Sequence, residues 1–333
     1  MQRVELSAFG LSNLRFNEVP VPAPAAGEVL LKVMACSINY RDLMIANGHY
    51  KTDIPLPLVP LSDCCGVIEA VGSGVSDFAP GDRVVSLLWQ DWLSGPLCAD
   101  QRTQSPGCET TGVLSEYAVL PATGIAAAPE SLTAAEAACL PAAGLTAFTA
   151  LTTWGQLQPG DTLLTLGTGG VSLFALQFAK AMGANAVVTS SSDEKLARAR
   201  DLGADHTINY RLNDRWGEAC FELTGGADVV VETGGAGTLN QSMAALGYSG
   251  RIAYIGGLAG FAGETSLMPL VIKNASVHGI TVGSKADHQR MTRFVGQHQI
   301  KPVIDRECSF AQSIDAIAAI GEGAHFGKIV VIF

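Results

Sequence analysis

The sequence predicts an α/β fold: a β-rich domain followed by a doubly wound parallel sheet. Three observations carry this. A chain of 333 residues is long for one domain and fits two. Up to residue 122, short apolar runs are punctuated by Pro20, Pro22, Pro24, Pro55, Pro57, Pro60 and Pro80, the pattern of strands with irregular loops. From residue 162 onward, apolar runs alternate with helical patterns, as parallel strands joined by crossover helices do.

Taken in order, residues 28–35 (EVLLKVMA) alternate weakly and are apolar enough for a buried strand. Residues 66–71 (GVIEAV) form another, and the turn GSGVSDFAPGD leads to RVVSLL. Residues 114–119 (LSEYAV) close this part. Residues 162–167 (TLLTLG) are a strand ending in glycine, 171–182 a helix, 186–190 (AVVTS) a strand and 193–202 a charged helix. HTINY (206–210), DVVVE (228–232), RIAYI (251–255) and VHGITV (277–282) read as four more strands, with helical stretches between most of them. A helix near 287–298, a helix near 311–322 and a strand at 328–333 do not extend the alternation and are expected to return to the first domain. The expected domains are residues 1–122, 123–283 and, returning to the first, 284–333.

Composition narrows the function. The net charge of −10, from 21 basic and 31 acidic residues, lacks the footprint of a nucleic-acid binder and favours a small-molecule partner. Two uncharged runs, 137–160 and 162–179, are interrupted by Pro141, Gly144, Trp154 and Gln156 and by Gly167, Gly169 and Gly170, so buried segments are expected and not membrane spans. The N-terminal MQRVELSAFG has no apolar core segment of a secretory signal. Eight cysteines without a CxxC pair read as buried or half-buried free thiols in a reducing cytoplasm. The six histidines form no HxxxH or HExxH pattern.

The strongest motif is LTLGTGGVSLFALQFAKAMGA, residues 164–184. Gly167, Gly169 and Gly170 stand between a strand and the helix that Val171 begins, where glycine permits a tight turn and a close approach to pyrophosphate. The free N–H groups at the helix start suit that anion. Ser172 replaces the third glycine of G-x-G-x-x-G and is small enough to do so. An NAD site wants a carboxylate at the end of the next strand. That place holds Thr189, Ser190, Ser191 and Ser192, followed by Asp193, a first-turn acid, and Lys195, which can reach a phosphate. Hydroxyls and a lysine without an acid favour the 2′-phosphate of NADP(H) over NAD.

GEVLLKVMACSINYRDL, VIEAVGSGVSDFAPGDRV, LPAAGLTAFTAL, the glycine loop and GKIVV together resemble the medium-chain dehydrogenase/reductase superfamily over nearly the whole chain. The resemblance implies a GroES-like catalytic domain made from both chain ends, a central Rossmann domain, an active site between them, and a homodimer or homotetramer. The zinc enzymes of that family carry a cysteine where this chain has Asn39, Gly-His-Glu where it has Leu61, Ser62 and Asp63, and a third ligand near Ala143. None of these is a thiolate or imidazole, so no catalytic zinc is expected. A structural zinc lobe needs four close cysteines, and only Cys98 and Cys108 fall there.

The resemblance therefore points to the zinc-free quinone and enoyl reductases. These transfer hydride from NADPH to a quinone or an α,β-unsaturated carbonyl compound, whose oxygen must be stabilised and a proton supplied. Tyr50 resembles the tyrosine proton donor of the enoyl reductases, and Tyr40 is the alternative. Asn39, at the vacated ligand position, is expected to face the nicotinamide or substrate. Cys36 reads as a packed thiol. Arg41 and Asp42, with Asp63, are expected to form a buried ion pair. By resemblance Thr146 lies near the nicotinamide and Tyr210 adds a hydroxyl to the 2′-phosphate site. Gly256 and Gly257, at a strand end, would let the backbone pass close to the cofactor. Residues 87–111 are expected at the pocket mouth or a subunit contact. Two alternatives stand: a zinc-free or atypical alcohol dehydrogenase or carbonyl reductase, and a non-catalytic NADPH-binding sensor or structural protein.

Overall fold

A computed structural model describes residues 1–102 and 104–333. The chain forms two compact units, Met1–Ala143 with Gly283–Phe333, and Gly144–Val282.

In the first unit, β1 (Gln2–Leu6) and β2 (Leu14–Glu18) make an antiparallel hairpin. A larger sheet comprises β3 (Glu28–Ile38), β4 (Asp63–Val71), β5 (Arg83–Ser86), β6 (Tyr117–Pro121), β7 (Ile125–Ala127) and, from the far end of the chain, β14 (Ile304–Ser309) and β15 (Lys328–Ile332). Its order is β14-β15-β3-β4-β5-β7, with β6 also on β3. The α-helices of the unit include α1 (Tyr40–Ala46), α2 (Ala134–Ala138), α9 (Lys285–Gln297) and α10 (Ser313–Ala319). Residues 123–143, assigned on sequence to the second domain, pack here, because β7 pairs with β5 and α2 lies on β3 and β4. Cys36 and Ile38 on β3 join Val4, Leu14, Ile317 and Val331 in one core. Ser37 faces the other way, its hydroxyl 3.6 Å from Cys139 Sγ beside α2. The strand expected at 114–119 starts only at Tyr117. The N–H groups of Val113 and Leu114 are taken by the carbonyls of Pro60 and Leu61, which makes that stretch a loop.

The second unit has six parallel strands: β8 (Thr162–Leu166), β9 (Asn185–Ser190), β10 (His206–Asn209), β11 (Ala227–Glu232), β12 (Leu246–Tyr254) and β13 (Ser276–Gly279). Their order is β10-β9-β8-β11-β12-β13. Helices α4 (Gly170–Ala181), α5 (Asp193–Asp201), α6 (Trp216–Thr224), α7 (Leu239–Ala245) and α8 (Met268–Lys273) pack on the sheet, and α3 (Leu145–Thr149) packs on α4. Every residue of β8 is buried, as in a parallel strand covered on both faces. The chain reverses its winding between β8 and β11, so the crevice beyond their carboxyl ends is the topological switch point where such sheets bind ligands.

Of the two uncharged runs, 137–160 is short helical pieces, including π-helical Leu140–Gly144 and Ala150–Trp154, followed by a loop, and 162–179 is β8 with most of α4. Among the described residues no helix is long and apolar enough to cross a membrane.

Candidate functional site

At the switch point, Gly167 turns the chain with φ 74°, and Gly169 caps α4 in extended conformation without any side-chain cap. A Cβ placed on either glycine would meet no heavy atom within 4 Å. The loop thus borders open space, with the uncapped N–H groups of a twelve-residue helix beside it, and fits a pyrophosphate. Gly170 and Val171 are the first two residues of that helix. Ser172 is buried, and its hydroxyl donates to Leu166 O at 2.6 Å, tying helix to strand where a third glycine would only allow contact.

The end of β9 carries the residues expected at the ribose. Thr189 and Ser190 are buried and committed within the fold. Thr189 Oγ1 accepts from Gly167 N at 3.3 Å, and Ser190 Oγ accepts from Ser192 N at 3.3 Å. Ser191 and Lys195 are half-buried, the latter in the first turn of α5, where Ser192 caps its N–H. Tyr210 is exposed and hydrogen-bonded through its N–H to Ser190 O, so Ser191, Lys195 and Tyr210 flank the ends of β9 and β10. Asp193 accepts from Asn209 Nδ2 at 2.7 Å and is the nearest acid in sequence to that strand end. This donor set suits a phosphate better than a ribose hydroxyl. Thr146 is buried on α3.

Across the switch point, Glu232 ends β11 fully buried. It accepts from Gly234 N at 2.7 Å, Gly235 N at 2.9 Å, Thr238 Oγ1 at 2.7 Å, and from the Ser242 hydroxyl. Thr233 Oγ1 then donates to Leu166 O at 3.1 Å, bridging the two strand ends. Gly256 and Gly257, after β12, are closely packed. A Cβ on Gly256 would stand 2.8 Å from Thr233 O, and one on Gly257 would strike the Phe261 ring. Their missing side chains make room for protein neighbours.

In the first unit, Asn39 follows β3 and is the N-cap of α1. Its N–H donates to Asp42 Oδ2 at 2.7 Å, and its Oδ1 accepts from Lys328 Nζ at 2.5 Å. Lys328 is almost fully buried and also donates to Ile38 O at 2.6 Å. Asn39 Nδ2 is buried without a hydrogen-bond partner among the described residues. Burial pushes the Asp42 carboxyl up to about 6, against the opposing pull of Arg41, the Asn39 N–H and Lys328. Asp63, also buried, accepts from Ser62 Oγ at 2.6 Å and Ala142 N at 3.0 Å. The ion pair expected among Arg41, Asp42 and Asp63 is therefore rearranged. Arg41 is 3.9 Å from Asp42 but donates to Ser105 Oγ at 2.5 Å and Pro106 O at 3.4 Å. Asp63 is held by its own neighbours.

Tyr40 is the first residue of α1 and 39% exposed; Tyr50 is 41% exposed, with the Arg41 guanidinium 5.2 Å from its ring centre. In the 87–111 segment, Trp92 O and Leu93 O accept from Lys285 N and Ala286 N; Thr103 lies outside the described residues. Cys36 is buried with Sγ 3.2 Å from Val113 O, and burial raises its thiol well above the ordinary range. Cys98, expected buried or half-buried, is exposed.

The family resemblance raises zinc, and the residues at its ligand positions do not fit it. Position 39 offers an amide oxygen already bound by a lysine, Ser62 spends its hydroxyl on Asp63, and position 143 is alanine. Zinc takes thiolate, imidazole or carboxylate donors; the carboxylate among these positions, Asp63, accepts from Ser62 Oγ and Ala142 N, and a lysine amine on Asn39 competes there with its own positive charge. Lys328, Glu232 and Thr233 escaped the sequence reading. The one available signal was a lysine opening an otherwise apolar strand, KIVVI.

Residues 25–130 match the model of the alcohol dehydrogenase GroES-like domain, and residues 170–297 that of zinc-binding dehydrogenases. A zinc-type alcohol dehydrogenase-like protein of Schizosaccharomyces pombe is 42% identical over 97% of this chain and 96% of its own. A chloroplast envelope quinone oxidoreductase homolog of Arabidopsis thaliana is 30% identical over 97% and 94%. A crystal structure of an NAD-dependent alcohol dehydrogenase superposes with a TM-score of 0.91 at 34% identity, covering 100% of both chains. With a GroES-like β unit, a doubly wound unit and relatives matched over almost their full length, the chain belongs to the medium-chain dehydrogenase/reductase superfamily and is an oxidoreductase.

Proposed function

We propose that this oxidoreductase uses NADPH to reduce a quinone or an α,β-unsaturated carbonyl compound, and that it does so without zinc. The observation that carries the reading is the lysine-bound amide of Asn39 where the zinc enzymes of the family hold a thiolate. NADPH is favoured by Ser191, Lys195 and Tyr210 around a strand end that has no acid, although one structural relative is described as NAD-dependent. Bound at the glycine loop, the nicotinamide supplies a hydride. The chain's part is to bind the acceptor, stabilise the oxygen that gains the electron pair, and deliver a proton, for which Tyr50 is the proposed donor and Tyr40 the alternative.

A second reading, reduction of a simple aldehyde or ketone, is favoured by a structural relative named as an alcohol dehydrogenase. Steady-state oxidation of NADPH and NADH against enones, quinones, aldehydes and ketones separates the two. The proposal expects NADPH turnover with enones or quinones that survives chelation. Turnover restricted to aldehydes and ketones supports the second reading. Near-stoichiometric zinc in active protein overturns zinc independence.

We also propose a homodimer. Among the described residues strand β13 pairs with β12 and leaves one edge open, and the adjoining α8 exposes Val271 at 72% and Ile272 at 65%. An open edge beside exposed apolar side chains is a surface that pairs with another copy. Light scattering on the eluting protein should give twice the mass of 34.6 kDa, and Ile272→Asp should give the single mass.

A further inference from the structure

We propose that Lys328 and Asn39 form an electrophilic pair, in which the lysine fixes and polarises the Asn39 amide and the amide N–H donates to the acceptor oxygen that gains charge as hydride arrives. The inference rests on the reductase reading above and gives it a chemical device. Lysine only donates, so the Asn39 atom 2.5 Å from Nζ is the oxygen, and the amide orientation is fixed. The second bond, to Ile38 O, holds the ammonium from the β3 side. Nδ2 is thereby turned away from the lysine, where it is buried and finds no acceptor among the described residues. A buried N–H left alone is costly, and an acceptor from outside the chain offsets that cost.

A carbonyl or quinone oxygen is such an acceptor. It has lone pairs and no donor, which matches an amide N–H. A cation on the amide oxygen draws electron density from the nitrogen and strengthens its N–H as a donor. When the hydride adds to the electrophilic carbon, NADPH becomes NADP⁺ and the displaced π pair moves onto the oxygen. The Asn39 N–H stabilises that charge until one proton, from Tyr50 or solvent, completes the reduced product. The charge is thus met by an amide that a lysine has polarised. Asn39 is the catalytic residue of the pair, and Lys328 its positioning residue.

The test uses Asn39→Ala, Lys328→Met, Lys328→Arg and the double variant, in enzyme that oxidises NADPH with an enone. Asn39→Ala should lower kcat by roughly 10²–10³-fold, the effect of losing one oxyanion donor, with NADPH affinity unchanged. Lys328→Met should lower kcat comparably, Lys328→Arg should restore part of it, and the double variant should be no worse than the poorer single one, as for residues acting as a unit. Infrared difference spectra of a bound enone with NADP⁺ give a readout independent of turnover: the C=O stretch should fall in the wild type and not in Asn39→Ala. A kcat within threefold of wild type in Asn39→Ala, additive losses in the double variant, or equal C=O stretches would overturn the pair. A lowered stretch without NADPH turnover would support the pair and count against the reductase reading, and turnover with equal stretches would do the reverse.

Discussion

At the scale of single residues, the carboxyl of Asp42 makes a claim about pH. Its folded value, raised to about 6 by burial, lies above the ordinary 3.8. Between those values the folded chain holds a proton that the unfolded chain has lost, so this group's contribution to stability falls as pH rises from about 4 to about 6. In Asp42→Asn an amide oxygen can still accept the Asn39 N–H, and the titration is gone. Its stability relative to wild type should therefore rise across that window, by up to about 3 kcal/mol, in denaturant titrations at stepped pH. A flat difference would show that Asp42 is not raised. The thiols make a second claim. Burial pushes Cys64 up to about 12 and Cys139 and Cys220 to about 11, whereas Cys98 is exposed and Cys308 half-buried. A thiol reagent should label Cys98 first in the native protein, Cys308 more slowly, and the other six only on unfolding. Asn39 was legible because a family spacing marked it. Lys328 was not, since its partner is 289 residues away in the chain and a lysine at a strand start looks like a solvated end.

Elements depend on contacts that periodicity does not display. Helices α6 and α7 approach so closely that a Cβ on Gly217 would run into the Gln241 carbonyl oxygen, while Gly217 N donates to Gln241 Oε1 at 2.8 Å. Gly217→Ala should cost about 1–3 kcal/mol, read as a lowered unfolding midpoint, even though alanine is the better helix former. In α2, Thr133 Oγ1 accepts from Glu136 N at 3.2 Å and Glu136 returns the bond to Thr133 N at 2.8 Å. Thr133→Ala should cost about 1 kcal/mol. The parallel strands were readable from sequence because burial on both faces makes them continuous apolar runs. Their ends were less so. The strand expected at 277–282 stops at Gly279, and that expected at 251–255 begins at Leu246. The packing of Gly256 and Gly257 against Thr233 and Phe261 was not legible, because a strand end was visible in the sequence and the neighbouring loop was not.

For the whole molecule, the two-unit plan was legible from the change of pattern between the β-rich part and the alternating part, but the crossing at Ala143 was not. Nothing in the alanine-rich stretch before it tells that α2 packs on β3 and β4. The first unit closes only through β15, which lies between β14 and β3. Deleting residues 328–333 should leave that unit unfolded, and limited proteolysis should then yield a resistant fragment spanning residues 144–282.

The same strand sets an order of events on the ribosome. Strand β6 pairs with Glu28–Lys32, but the Ala35–Ile38 end of β3 waits as an open edge for β15. At ordinary synthesis rates the wait after residue 143 is about 10–40 s, long enough for Gly144–Val282 to emerge and fold first. Lys328 arrives with that strand. A nascent chain can therefore hold a finished dinucleotide fold while the Asn39 amide still lacks the ammonium that orients it, so nucleotide binding should precede catalytic competence during synthesis.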